Sequence, residues 1–460
     1  MTDKKYCLIL AAGDGKRMKS DKPKALAEVL FRPMIDWVLN SAERAGMDDI
    51  AVVVGSKKEL LKAHLAKRGE YKTYTQTERR GTAHAVMMAK EFIKAAADDN
   101  ADLFIAYADA PFTSSAVMLD SLAVHKSEDN DITVISANVP NPFGYGRIVR
   151  ENGAFSAIVE EKDCTAQQRA ITEINSGLYW FKPAKLLKCL DRISNDNANG
   201  EYYLTDAAAL LAKRGVYVSE DDSVVLGANS RAQLADLNRM ARDRVLERLL
   251  DEGAEIPLDD GIIITDEVVV GKDTVILPNT IIKGKTTIGA GCTIGPNSYI
   301  EDCVIGDNVK LNNVQAFKSS VDDDATVGPF VHLRAGTHLH NGVKIGDFVE
   351  VKNSEIGTKT SIAHLTYVGD SDVGKDVNFG CGCVTANYDG IDKFRTVIGD
   401  HAFIGCNTNL IAPVTVGENA TTAAGSTITK DVPPDSLAVE RGTTRIKENW
   451  EKNHRRIKKA

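Results

Sequence analysis

Residues 286–306 read TTIGAGCTIGPNSYIEDCVIG. An aliphatic residue followed by glycine comes back here at Ile288-Gly289, Ile294-Gly295 and Ile305-Gly306. The pair returns at Val327-Gly328, Ile345-Gly346, Ile356-Gly357, Val368-Gly369, Val373-Gly374, Ile398-Gly399, Ile404-Gly405 and Val416-Gly417, many intervals being six residues or close to a multiple of six. A sustained hexapeptide period predicts a parallel β-helix, with one aliphatic side chain per step pointing into the core. Glycine and small polar residues are expected at the corners. The repeat starts near residue 262 and defines a second domain over 253–460. The segment GCGCVTANYDGIDKFR (380–395) interrupts it. An extra loop on one face of a solenoid is a common seat of function.

Before the repeat, residues 231–252 form a charged helical stretch with Leu234, Leu237, Met240 and Val245 on one stripe, read as a linker. Residues 1–230 follow a different pattern. Apolar strands at 6–12, 50–55 and 103–109 alternate with helical stretches at 34–46, 57–69 and 82–97. This alternation predicts a Rossmann-like α/β domain, a parallel sheet with helices on both faces. Ligands on such sheets bind beyond the carboxyl ends of the strands, where the loop GDGKRM and the segment YADAP both fall.

The chain of 460 residues exceeds one ordinary core, so two or three domains are expected. A hydrophobic share of 43% and a charged share of 26% are those of a soluble globular protein. The net charge of -8 argues against duplex nucleic acid as a partner. No apolar run reaches the ~20 residues of a bilayer span, and the N-terminus lacks a signal-peptide core, so no membrane insertion is expected. Eight scattered cysteines suit a reducing, cytoplasmic setting. The basic stretch RIKENWEKNHRRIKKA at the C-terminus reads as a solvated tail.

The loop GDGKRM is neither a dinucleotide fingerprint nor a P-loop: the third glycine of the first and the GK[ST] of the second are missing. Its glycines can admit phosphate oxygens to backbone N–H groups, with Lys16, Arg17 and Lys24 close behind.

The wider pattern LAAGDGKRMKSDKPKAL (10–26) resembles the opening of the sugar-1-phosphate nucleotidyltransferases. Further stretches extend the resemblance along nearly the whole chain: QTERRGTAHA, YADAP, FGYGRIVR, VEEKD, EINSGLY, GEYYLTD and GAN, then VGPFVHLRAG, FVEVKN, IAHLTYVGD and ANYDGIDKFRTVIG. It is similar to the bacterial bifunctional enzymes that join N-acetylglucosamine-1-phosphate uridylyltransferase to glucosamine-1-phosphate N-acetyltransferase. The resemblance implies a left-handed β-helix of triangular section that assembles as a homotrimer. It also implies synthesis of UDP-N-acetylglucosamine for peptidoglycan, lipopolysaccharide and other envelope polymers. Glucosamine-1-phosphate is acetylated from acetyl-CoA, and N-acetylglucosamine-1-phosphate then receives uridylyl from UTP with release of pyrophosphate.

For the nucleotide site the resemblance implies Leu10, Ala11, Ala12, Gly13, Lys24, Gln76, Gly81, Thr82, Tyr107, Ala108 and Asp109, with Gly146, Glu160, Asn175 and Asn229 completing the sugar and metal contacts. Asp109 and Asn229 are the implied Mg²⁺ ligands, hard oxygen donors of the kind that ion takes. Ala108 stands where the family usually has glycine. Nucleotidyl transfer joins two anions, so a cation and fixed positive groups are what the chemistry needs. For acetyl transfer a base must first free the sugar amine of a proton, and the resemblance implies His364 for that role. Arg334, Lys352, Tyr367, Asn378 and Lys393 would hold the sugar phosphate. Cys381, Asn387, Tyr388, Cys406, Ala424 and Arg441 would meet acetyl-CoA, with Cys381 and Cys406 replacing the family's alanine and serine. The pair Cys381 and Cys383 lacks a partner pair at zinc spacing, so packing between coils is favoured over metal. Two further readings stay open at this point: a single-activity nucleotidyltransferase with a structural β-helix, and a non-catalytic assembly subunit.

Overall fold

Apolar strands that have no polar face must be covered on both sides, and the first half of the chain is built this way. A computed structural model describes residues 4–13, 15–55, 57–197 and 200–450. Asp14, the Lys16 side chain and the end of the basic tail at 451–460 lie outside the described residues. The chain forms two compact units, 1–241 and 242–460.

In the first unit the main sheet runs, edge to edge, Arg214–Ser219, Ile132–Asn138, Glu173–Phe181, Asp102–Tyr107, Lys5–Ala11, Asp49–Val54 and Lys72–Thr75. Cys7, Leu8, Ile9, Val52, Val53, Phe104 and Ile105 are fully buried between two helical layers. The sheet is mixed rather than parallel throughout, because Glu173–Phe181 runs antiparallel to both neighbours. The chain reaches that strand through the hairpin Arg147–Glu151/Ala154–Val159 rather than a long helical crossover, and short connections permit antiparallel pairing. The expected single helix over 82–97 is two, Thr82–Met88 and Lys90–Asp98, divided at Ala89. The break separates a short helix packed on Lys5–Ala11 and Asp49–Val54 from one packed on Asp102–Tyr107 that buries Phe92, Ile93 and Ala96. Arg231–Asp251 is a helix whose buried residues are Leu237, Ala241, Val245, Leu246 and Leu249, while the expected Leu234 and Met240 are only half-buried because the stripe turns away from them.

The second unit is a left-handed β-helix of three all-parallel sheets. Ile264, Ile282 and Ile300 pair in register, eighteen residues apart at each step, and all three are fully buried. The corners are turned largely by Asn and Asp, such as Asn279, Asn297 and Asn313 at φ of 58°, 54° and 51°. Their short side chains tolerate the left-handed region. The glycine of each aliphatic-glycine pair meets a different need. A Cβ on Gly289 would lie 2.6 Å from the backbone of Gly306 and 2.2 Å from an Asp307 carboxylate oxygen, so the next coil passes too close for a side chain. Gly289→Ala is therefore expected to destabilise the β-helix by roughly 1–3 kcal/mol, read as a lower unfolding midpoint of that unit in urea.

The loop 387–395 leaves the solenoid between Val384–Ala386 and Thr396–Ile398. Glu355 pairs with Asp372 seventeen residues on, whereas Asp372 pairs with Val397 twenty-five residues on, so the excursion adds eight residues.

Candidate functional site

The carboxyl ends of Lys5–Ala11 and Asp102–Tyr107 open into a cavity of about 250 Å³. Leu10, Ala11, Ala12, Gly13, Lys24, Gln76, Gly81, Thr82, Tyr107, Ala108 and Asp109 all line it. Gly13 has no atom within 4 Å of where a Cβ would stand, so its backbone is open to an approaching group. Gly81, at φ 106°, could carry no Cβ without meeting the Tyr202 carbonyl oxygen at 2.4 Å. Gln76 is buried, and its side-chain amide donates to the Gly81 carbonyl, 3.1 Å away. Ala108 is buried at the cavity wall, its N–H bonded to the Leu10 carbonyl at 3.0 Å.

An adjoining cavity of about 420 Å³ shares Thr82, Tyr107 and Glu201 with the first and adds Glu160, Asn175 and Tyr179. Gly146, Glu160 and Asn175 are brought together here. The Asn175 N–H donates to the Gly146 carbonyl at 2.8 Å, and a Cβ on Gly146 would stand 3.5 Å from the Glu160 carboxylate. Asn175 also donates from its amide to the Tyr179 hydroxyl at 2.8 Å. Burial pushes the Glu160 carboxyl above its usual range, with Asp163 and Asp206 adding to the effect.

At the rim, the Lys24 ammonium donates to the Asp109 carboxylate and to the Asn229 amide oxygen, the latter at 2.6 Å. Residues 85 and 205 positions away in sequence thus converge on one nitrogen. One carboxylate and one neutral oxygen facing a shared cation form a hard donor set, which fits Mg²⁺ completed by phosphate and water. Arg79 and Glu201 line the same space but carry no role in the sequence reading. Both lie in stretches that carry the resemblance, QTERRGTAHA and GEYYLTD, so position in those stretches was the available signal.

In the β-helix, register sorts the implied residues into columns. Ser361, Asn378, Phe403 and Thr421 pair in sequence from coil to coil. Three residues beyond each stand His364, Cys381, Cys406 and Ala424, so these four occupy the same position on successive coils. The backbone links follow: Asn407 N–H to the Cys381 carbonyl at 2.7 Å, and Gly425 N–H to the Cys406 carbonyl at 2.8 Å. His364, Cys406 and Ala424 are exposed, as are Asn378, Tyr388 and Arg441. The Arg441 side chain reaches to 4.0 Å from a Cβ position on Gly425. Cys383 is buried: its thiol donates to the Gly405 carbonyl at 3.1 Å, and burial pushes it up to about 11.

A second column lies on the neighbouring sheet, where Arg334 N–H bonds the Val351 carbonyl at 2.9 Å and Lys352 pairs with Gly369. Tyr367 follows His364 around the corner by three residues. Asp370 is the centre of this region and was missed from sequence. It is buried at a corner with φ 48° and accepts from Asn353 at 2.6 Å, from Asn387 and from Lys352 at 3.3 Å. Burial alone would raise its carboxyl, but the two amides and the Lys352 ammonium outweigh that and hold it below the usual carboxylate range. Lys393 stands beside Lys352, whose ammonium depresses it. Arg334 pairs with Glu350 at 2.9 Å. Three cations thus gather near one another, a setting suited to a phosphate.

Asp370→Ala is expected to cost about 1–3 kcal/mol by orphaning these donors. The sign follows from the lowered carboxyl. The stabilisation is fully present above the unfolded value of ~3.9 and fades as pH falls through the lower folded value. The stability gap between wild type and variant should therefore be large at neutral pH and shrink on acidification, as urea midpoints measured across pH would show.

The comparisons with known proteins agree across both units. The MobA-like NTP transferase domain model matches residues 7–256, and the bacterial transferase hexapeptide model matches 267–302, 285–314 and 395–430. A bifunctional protein GlmU of Acetivibrio thermocellus is 47% identical over 449 residues, covering 96% of this chain and 96% of that one. The corresponding proteins of Fervidobacterium nodosum and Clostridium acetobutylicum are 45% and 42% identical, each covering 97% of this chain and 97% and 98% of their own. With identity of this order over 96–97% of its length, the chain belongs to the bifunctional GlmU family.

Proposed function

We propose that this chain makes UDP-N-acetylglucosamine by two reactions, one in each unit. What carries the reading is full-length similarity to bifunctional relatives, coupled with a chemistry-bearing cluster in each half. The β-helix unit transfers acetyl from acetyl-CoA to the amine of glucosamine-1-phosphate. The first unit then transfers uridylyl from UTP to N-acetylglucosamine-1-phosphate, feeding peptidoglycan, lipopolysaccharide and other envelope polymers.

In the nucleotide cavity Gln76 and the backbone at Gly81 and Thr82 face the base, and the segment Leu10–Gly13 lies along the nucleotide. Gly146, Glu160 and Asn175 hold the sugar. The sugar phosphate oxygen attacks the α-phosphorus of UTP, the bond to the β-phosphate oxygen breaks, and pyrophosphate leaves. The attacking oxygen is already ionised, so no base is needed. Asp109 and Asn229 would hold Mg²⁺, which when bound supplies positive charge against the triphosphate. Lys24 adds a fixed ammonium to the same phosphates.

In the β-helix, Arg334, Lys352 and Lys393 clamp the sugar phosphate, with Tyr367 and Asn378 beside it. His364 takes a proton from the sugar ammonium. The freed amine attacks the thioester carbonyl, the C–S bond breaks, the nitrogen gives up its remaining extra proton to form the amide, and the coenzyme A thiolate leaves and is protonated. Asn387 holds the thioester end, while Cys381, Tyr388, Cys406, Ala424 and Arg441 line the coenzyme. The exposure of His364, Cys406 and Ala424 supports a homotrimer in which a second copy closes this open wall. Eight free cysteines accord with a cytoplasmic setting, and no described helix is long and apolar enough to cross a membrane. The cation cluster around Asp370 favours this reading over a solely structural β-helix.

Two assays on the purified chain test the proposal. Thiol release is expected from acetyl-CoA with glucosamine-1-phosphate, and pyrophosphate release from UTP with N-acetylglucosamine-1-phosphate. Silence in the first with the second intact would leave a single-activity nucleotidyltransferase.

A further inference from the structure

The third sheet of the β-helix, which carries neither candidate column, has one histidine on the strand His338–Leu339 and a second, His340, directly after it. His338 and His340 are two residues apart, so their side chains share a face, with ring centroids 4.0 Å apart. Ser320 pairs with His338 and His338 with Glu355, which sets Asp322 on the coil to one side and Glu355 on the coil to the other. Asp322 accepts His338 Nε2 at 3.0 Å and His340 Nδ1 at 3.2 Å, one on each carboxylate oxygen. Glu355 meets the opposite nitrogens, His338 Nδ1 at 3.0 Å and His340 Nε2 at 3.2 Å.

All four ring nitrogens therefore face carboxylate oxygens. A neutral imidazole has one N–H and one lone pair, so two neutral rings can satisfy only two of the four contacts. Hydrogen-bond geometry is met on the Asp322 side, where each ring presents one nitrogen to one carboxylate oxygen, and a divalent cation bound there would take those two nitrogens as lone-pair donors while the ring protons pass to the Glu355 side, within ion-pair distance. The donor atoms of Asp322, His338 and His340 all lie within 4.8 Å of one another. Tetrahedral ligands at the ~2.0–2.1 Å of zinc–nitrogen and zinc–oxygen bonds stand roughly 3.3–3.4 Å apart, close to the nitrogen–oxygen edges found here. Glu355 then plays the part that an outer carboxylate plays behind metal-bound histidine, fixing tautomer and ring orientation.

We propose that His338, His340 and Asp322 form a binding site for a divalent transition-metal ion of the zinc class, with Glu355 orienting the rings. Two imidazoles and one carboxylate suit such an ion far better than Mg²⁺, which prefers an all-oxygen shell. The exposed side leaves a position for water. The ion ties neighbouring coils together and takes no part in either transfer reaction.

The test is calorimetric titration of Zn²⁺ into the full chain with Mg²⁺ in excess, beside the double variant His338→Asn/His340→Asn. Wild type is expected to take up one more equivalent than the variant and to gain more in thermal midpoint on adding Zn²⁺, while both transferase activities stay equal. Glu355→Gln should keep the stoichiometry and weaken affinity about 10–100-fold. Co²⁺ in place of Zn²⁺ should give a visible ligand-field band, absent from the double variant, without a thiolate charge-transfer band. Equal uptake and equal thermal shifts in wild type and double variant would overturn the proposal. A thiolate band unchanged by the double substitution, with equal uptake, would place the ion on cysteine and overturn it too.

Discussion

Asp109→Ala is expected to lower uridylyl transfer by about 10³-fold and leave acetyl transfer unchanged. The carboxylate stands beyond the Asp102–Tyr107 strand, where it shares the Lys24 ammonium with Asn229. Its removal takes away the only negative ligand of that pair and leaves Lys24 facing a neutral amide. Transition-state charge on the triphosphate then loses its organised counter-charge, which is why kcat should fall more than KM rises. Asp109→Asn makes a sharper comparison, since it keeps the shape and removes the charge. Parallel pyrophosphate-release and thiol-release assays read both activities on one preparation. Loss of both in folded protein would contradict the assignment of Asp109 to one reaction alone.

His364→Ala should do the converse, lowering acetyl transfer by roughly 10²–10⁴-fold, the usual share of a positioned base. The residue is exposed and its ring makes no hydrogen bond among the described residues, so the fold should not suffer. Arg334, Lys352 and Lys393 remain in place, and KM for glucosamine-1-phosphate should stay close to wild type while kcat falls. A near wild-type rate would remove His364 from the role of base.

The hexapeptide period was legible because it is local: each Ile-Gly pair announces one buried residue and one close backbone approach. The reason for the glycines was not, since the crowding at Gly289 comes from Gly306 and Asp307 on the next coil. The antiparallel course of Glu173–Phe181 was hidden for a similar reason, as strand direction depends on the connection rather than on the strand's own residues. The split at Ala89 interrupts a pattern whose apolar spacing is continuous on both sides. In the candidate sites, most residues implied by motif line two adjoining cavities or stand on two columns of the β-helix and the loop 387–395 beside them. Asp370 escaped because a carboxylate in a corner reads as a turn former. Its weight comes from Asn353, Asn387 and Lys352, which arrive from other parts of the coil.

The loop 387–395 departs from the solenoid and rejoins it at Thr396, which pairs with Ser371 as though nothing had intervened. Rungs on either side keep their registry whatever the excursion holds. The chain can therefore vary length and composition at that point freely while the coils beneath keep their shape.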